Sequence, residues 1–172
     1  MIQDHHWDEY AGAGFTCWPD GDPDSSHAIS VGPRPDGGID GSFPLAQSAC
    51  FVTAHNPGGP IIDASENDRR HTAMVDDVVT HGWKWWPAVG GDPGGSHTEN
   101  GALLLDATVE DALSLAARFD QDAIYVWSAT KLELIAHDRS RSDTVGWTAD
   151  VGVTRLPCPC LLYTSPSPRD RS

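Results

Sequence analysis

The residues best placed to do chemistry sit in the segment Gly90–Gly101, where Asp92, Ser96, His97 and Glu99 follow a strongly apolar run. Polar, glycine-rich segments after a buried strand are common mounts for binding and catalytic groups. His97 and Glu99 are two apart, so an extended backbone would turn both side chains to one face. A second post-strand loop carries His55. Together His55, His97 and Glu99 have the donor set of a His/His/carboxylate metal site. The same three groups could instead work as a base–acid pair. The spacing is far less specific than an HExxH helix. The plainer alternative is that Asp92-Pro93-Gly94-Gly95 is turn chemistry and the rest a solvated loop. On that weighing no metal and no other cofactor is expected.

Other polar residues are weaker candidates. Asn56, before Pro57, could orient a ligand through its amide, although such an Asn more often holds a turn. Asn67 and Arg70 lie near the start of a helix that should face the His55 loop. A positive helix end with Arg70 could hold an anion, and pairing of Arg70 with Asp63 or Asp68 is the plainer role. Gln121, between a helix and a strand, could bridge helix-end carbonyls to strand backbone or contribute to a pocket with Glu99. Ser96 lacks a nucleophile-elbow context. The glycines at 90, 91, 94 and 95 match neither a dinucleotide fingerprint nor a P-loop. His5, His6 and His71 read as surface or helix residues without ligand spacing.

The elements that must position these groups follow from periodicity. Residues 1–12 are polar with Trp7 and Tyr10 three apart, which suits a short helix laid on the body. Short strands are expected at Ala13–Trp18 and His27–Val31, and Ala49–Ala54 (ACFVTA) reads as a buried strand entering a sharp loop. Ser65 and Asp68 resemble a capping box for a helix whose stripe is Met74, Val75, Val78 and Val79. Gly82 should end it, with Trp83 in a Schellman contact to Val78. Trp83–Val89 is the next strand, with Trp83, Trp85 and Val89 on one face and Trp86 and Ala88 on the other. Pro87 should place it at an edge or bulge. Gly90–Gly101 then reads as one long loop before a short strand at Ala102–Leu105. Thr108 caps a second helix lined by Ala112, Leu115, Ala116 and Phe119, and Ala123–Trp127 and Leu132–Ala136 form strands. Of the seven tryptophans, Trp83, Trp85, Trp86 and Trp127 most simply build the core and its rim, an aromatic-walled cleft being the sharper alternative. The expected fold is α+β, a mainly antiparallel sheet with two principal helices packed on one face.

Composition limits the function classes. The formal charge is −14, with 25 acidic against 11 basic residues, and such a field repels phosphate backbones. No Lys/Arg run offers a local basic patch, so no nucleic-acid partner is expected. The acid is nearly all Asp, which fits either high-salt adaptation or GC-rich coding. No stretch approaches the roughly 18 apolar residues of a membrane span, and MIQDHHWDEY has no signal-peptide pattern, so a cytoplasmic, membrane-free protein is expected. Cys17, Cys50 and Cys158 make neither a disulfide framework nor a CxxC site. Residues 160–170 (CLLYTSPSPRD) resemble the translation of a sequencing-library adapter. Residues 160–172 are accordingly set aside as an artefactual tail of a metagenomic fragment with a truncated C-terminus, leaving 1–159 as one domain.

Several separated motifs, in order, carry a family resemblance. Phe51-Val52-Thr53-Ala54-His55-Asn56-Pro57 resembles the F-[IV]-T-A-x-N-P signature of a bacterial family known only as domain of unknown function 3293. The similarity continues through Glu66 and Asn67, Trp86-Pro87-Ala88-Val89-Gly90, Asp92-Pro93, Gly95, His97 and Glu99-Asn100-Gly101. It ends at Phe119-Asp120-Gln121-Asp122-Ala123-Ile124, spanning about 49–127. His55 stands where an aromatic is more usual, and Asp120 where Gly is. The resemblance implies a small bacterial cytoplasmic domain and no assigned activity.

The sequence thus points to a non-catalytic module binding a small ligand or a protein through the loops after two core strands. Its contact residues would come from His55, Asn56, Asn67, Arg70, Asp92, His97, Glu99 and Gln121. The alternative is a small metal-assisted or acid/base hydrolase-like enzyme built on His55, His97 and Glu99. Both require those two loops to lie at the same rim of the sheet.

Overall fold

A computed structural model of the protein describes residues 2–152. Along them run α1 (Asp4–Gly12), β1 (Gly14–Cys17), β2 (Ile29–Arg34), β3 (Ile39–Asp40), β4 (Ala49–Thr53) and α2 (Ala64–His81). Then come β5 (Trp85–Gly91), β6 (Thr98–Leu104), α3 (Val109–Arg118), β7 (Ala123–Trp127), β8 (Leu132–Ala136) and β9 (Ser142–Val151). Cys158 and the adapter-like residues 160–172 lie outside the described residues.

The sheet closes on itself. The strand order is β2-β1-β5-β6-β4-β7-β8-β9, and β9 pairs back onto β2 from Ile29↔Val151 to Arg34↔Gly146. Every pairing around the ring is antiparallel, and β3 adds a short parallel rung to β9. The expected open sheet with two helices on one face is therefore corrected to a closed eight-stranded antiparallel barrel with three helices outside it. The long strand β9 makes the difference: without a partner for β2, the sheet reads as open. Closure leaves the eight ring strands no free edge, the liability that antiparallel sheets otherwise have to manage.

Strand alternation sorts the apolar residues to the two sides of the wall. Cys50, Val52, Ala102, Leu104, Ile124 and Val126 face outwards and are covered by Met74 and Val78 of α2 and by Ala112, Leu115 and Ala116 of α3. Phe15, Phe51, Leu103, Trp127 and Trp147 face inwards. An eight-stranded barrel has room for side chains to fill it, or for one small ligand. Here one end is filled by aromatics in edge contact: Trp127 lies 5.5 Å from Trp147, 5.0 Å from Phe43 and 5.7 Å from Phe15 between centroids. Phe15 then stacks on Phe51 at 5.5 Å.

Two inward glycines shape the interior around Phe51. A Cβ on Gly101 would lie 2.6 Å from the Val52 carbonyl and 2.7 Å from the Phe51 ring, whereas one on Gly90 would crowd that ring at 2.8 Å and reach backbone only at an ordinary 3.7 Å from the Gly14 carbonyl. Gly101→Ala is therefore expected to cost about 1–3 kcal/mol by overpacking against backbone. Gly90→Ala should cost less, because the ring can yield. Urea denaturation of the two variants checks the order, and equal losses would show that backbone contact is not what distinguishes them.

The helices are ended by local signals. The α2 N-cap is Asp63, whose carboxylate accepts from the Ser65 N–H at 3.4 Å and the Ser65 hydroxyl at 2.8 Å, so the cap sits two residues before the expected Ser65. Gly82 adopts φ 75° and the Trp83 N–H donates to the Val78 carbonyl at 3.3 Å, the Schellman geometry. Thr108 and Asp111 form a reciprocal capping box on α3. Pro87 is not at an edge, because β5 lies between β1 and β6. It is tolerated because β1 pairs only as far as Ala88, and beyond it the Pro87 carbonyl accepts from the Trp18 N–H at 3.0 Å. A strand residue's N–H and carbonyl point the same way, so the missing donor faces the end of a ladder.

Candidate functional site at the barrel mouth

The aromatic filling stops short of the second end. There a cavity of about 490 Å³ opens above Phe51 and Tyr125, walled by Thr53, Gly90, Gly91, Glu99, Ala123 and Leu134. Apart from Gly91 at the end of β5, these are inward positions of β4, β5, β6, β7 and β8. Helix α1 lies across the mouth and contributes His6, Glu9 and Tyr10. It is anchored by Trp7, which is fully buried against Leu134 and Ala136 and donates through Nε1 to Asp143 at 2.6 Å. Arg141 packs over the Trp7 ring at 4.8 Å and reaches Asp4 at 3.0 Å. The Tyr10 hydroxyl donates to Asp122 at 2.9 Å, and the Tyr125 hydroxyl donates to the Tyr10 carbonyl.

The rim is built by two turns, one after β4 and one after β5. Strands β4 and β5 are both antiparallel to β6, so both run towards the same end of the barrel. In the first turn Asn56 takes φ 49°, a left-handed conformation that Asn tolerates better than most residues. Its backbone N–H donates to Asn67 Oδ1 at 2.8 Å, and its own Oδ1 accepts from Asn67 Nδ2 at 2.9 Å and the Ile62 N–H at 3.0 Å. With Oδ1 occupied by donors, Nδ2 is fixed in direction and donates to Glu99 Oε1 at 2.8 Å. The two turns are thereby tied together across the mouth.

The second turn is shorter than the expected Gly90–Gly101 loop. Pairing of β5 with β6 continues to Gly91↔Thr98, which leaves residues 92–97 as the connection. Asp92 folds it, accepting from the Ser96 hydroxyl at 2.9 Å, the Ser96 N–H at 3.3 Å and the His97 N–H at 2.6 Å. Those donors hold its carboxyl below the usual range. Glu99 is consequently a strand residue, directed inwards like Gly101 and Leu103. His97 Nε2 lies 3.2 Å from Glu99 Oε1, and this hydrogen bond, with the negative charge behind it, holds the imidazolium above its ordinary value. Among the described residues no donor bonds Glu99 Oε2.

Of the residues singled out in the sequence, Asn56, Asp92, His97, Glu99 and Gln121 line the cavity, and His55, Asn67 and Arg70 do not. His55 is buried on the α2 side, its ring edge-on to His71 at 6.0 Å, and burial lowers its pKa. The His55/His97/Glu99 trio does not assemble, and among the described residues no group of three His, Cys, Asp or Glu is arranged to hold a metal ion. His71, expected as a surface or helix residue, lies within α2 and is 3% exposed. Asn67 supports Asn56 from behind. Arg70 ties the end of β4 to the end of α3, donating to the Ala54 carbonyl at 2.8 Å and to the Phe119 carbonyl, with Asp120 at 3.7 Å in place of Asp63 or Asp68. Gln121 Nε2 donates to the carbonyls of His55 at 2.8 Å and Phe119 at 3.2 Å.

Sequence reasoning missed Phe51, Tyr125, Asp122 and the α1 face. The first two were readable as strand alternation in ACFVTA and AIYVW, had those strands been assigned a common interior. The cavity's aromatic surface comes from Phe51, Tyr10 and Tyr125, and no tryptophan lines it.

Comparison with known proteins adds one match. Residues 52–124 match the family model described as protein of unknown function (DUF3293). That span runs from β4 to β7 and holds both rim turns. No curated protein and no solved structure matches the chain. Among the described residues no helix is long and apolar enough to cross a membrane.

Proposed function

Residues 52–124 match the DUF3293 family model, whose description assigns no activity, and we propose from the geometry that the chain is a small-ligand binding module with its site in the barrel mouth. The observation that carries this reading is the cavity of about 490 Å³, whose apolar floor meets a few fixed polar groups. Small-molecule sites typically have this size and this mixture, and barrel mouths are among their preferred places. Asn56 and Glu99 are held by their own hydrogen bonds before any ligand arrives, which lowers the ordering cost of binding.

Screening small organic fragments against the isotope-labelled chain by NMR tests the reading. Shift changes should gather on Asn56 Nδ2, Gly90, Gly91 and the α1 residues facing the mouth. Fragments that shift only residues elsewhere, or none at all, would remove it. A second reading, acid/base chemistry, now rests on the His97–Glu99 contact at 3.2 Å without His55. New product resonances from a bound fragment, abolished by His97→Ala, would favour that reading.

A further inference from the structure

We infer that the mouth selects a small organic cation, an amine or quaternary ammonium carrying an apolar group, with Glu99 as its counter-charge. The inference rests on the ligand-binding reading and assigns the chemical class of the ligand. Charge comes first. Glu9, Asp92, Glu99 and Asp122 line the cavity, and among the described residues no Lys or Arg does. The whole chain, at −14, adds a field of the same sign. An anion entering the mouth meets like charge on several sides, whereas a cation is drawn in and relieved of the cost of losing water.

The position of Glu99 supplies the direction. Its side chain is only 20% exposed, so its charge is partly desolvated. Asn56 and His97 both bond Oε1, and Oε2 is left for an incoming donor. Asn56 is neutral, and His97, with its side chain 48% exposed, sits at the outer edge. Neither supplies a fixed buried positive charge, so a ligand ammonium can. The other three carboxylates differ from Glu99: Asp92 folds its own turn and Asp122 accepts from Tyr10, while Glu9 lies on the covering helix.

The floor suits the same class. Phe51 and Tyr125 lie 6.1 Å apart between ring centroids, and aromatic faces attract ammonium groups, more so when water is excluded. Both tyrosine hydroxyls donate their protons within the protein. Burial and the surrounding carboxylates push both phenols up, so neither adds a competing negative charge. A bare metal ion fits less well, because no three-ligand group is available among the described residues.

The test uses three probes of one shape on the full chain: 2-phenylethylamine, neutral 2-phenylethanol and anionic phenylacetate, each titrated by NMR and calorimetry at low and moderate salt. The amine should bind at least about tenfold more tightly than the alcohol, as a charge-assisted bond implies, and more weakly as salt rises. Phenylacetate should not bind. Glu99→Gln should weaken the amine about tenfold or more and leave the alcohol within about twofold, the retained alcohol showing that the variant is folded. Glu9→Gln, on the exposed face of α1, should weaken the amine only about threefold or less. Equal binding of amine and alcohol, preference for phenylacetate, a calcium ion that displaces the amine, or a mouth that accepts neutral fragments but no amine would each overturn the cation assignment and leave the site standing. If no probe or fragment shifts the mouth residues, the site reading itself fails.

Discussion

Between pH 7 and pH 5 the protein is expected to lose about 2 kcal/mol of stability through His71 alone. The residue is 3% exposed on the inner face of α2, bonded to the backbone at Asn100 and edge-on to His55. Burial first, then the neighbouring His55, push it down from 6.5 to about 3. The unfolded chain takes up a proton near pH 6.5 and the folded chain does not, so stability is complete above that pH and falls steadily towards pH 3. At about 1.36 kcal/mol per pH unit the first 1.5 units below 6.5 give the stated loss. His55, also lowered by burial, acts in the same direction. The raised His97 acts oppositely, since its bond to Glu99 contributes below the unfolded histidine value and fades as pH rises through its own. Being half-exposed, it contributes little. Urea denaturation of wild type and His71→Leu at both pH values isolates the effect. The variant's loss should be smaller by about 2 kcal/mol, and parallel losses would show that His71 is not the acid-sensitive group.

How much of this was readable in the sequence depended on the range of each signal. Local signals carried well. The Gly82 stop needs only a φ near 75°, and the Thr108 cap only its own first turn. The contact of His97 with Glu99 follows their two-residue spacing, although His97 ends the turn and only Glu99 lies on the extended strand. Non-local pairings did not carry. Closure of the barrel depends on β2 meeting β9 more than a hundred residues later, and no residue in GPRPDGGIDGS announces that partner. Without closure there is no interior, so Phe51 and Tyr125 read as ordinary core and the cavity between them had no place.

The histidines show the same limit from the other direction. His55 and Glu99 both follow strongly apolar segments, and by residue type alone they belong together. The end of the strand separates them: Thr53, the last residue of β4, and Glu99, within β6, line the mouth, while His55 lies beyond β4, where alternation no longer applies, and meets His71. The chain leaves the strand at Thr53, whose hydroxyl accepts from the His55 N–H at 3.1 Å, and Asn56 at φ 49° continues the turn. Composition offers no handle on that choice.

Asn56 is therefore where stability and the proposed site should fail together. Asn56→Ala removes the acceptor of the Ile62 N–H and of Asn67 Nδ2, and the donor to Glu99, three side-chain bonds at 3.0, 2.9 and 2.8 Å. Asn67 is 8% exposed, so its amide is stranded in a buried place where an unmet donor costs about 1–3 kcal/mol. Alanine also sits poorly at positive φ. A loss of about 3 kcal/mol is expected, with Glu99 freed to swing towards solvent. Asn56→Gly separates the contributions, because glycine accepts the backbone geometry and restores none of the bonds. It should be about 1 kcal/mol milder than Asn56→Ala in urea denaturation, yet weaken 2-phenylethylamine as much as Asn56→Ala does. If Asn56→Ala keeps wild-type stability, the Asn56–Asn67–Glu99 chain is not what holds the mouth in shape. If both variants keep full amine affinity, Glu99 does not need Asn56 to be held in place.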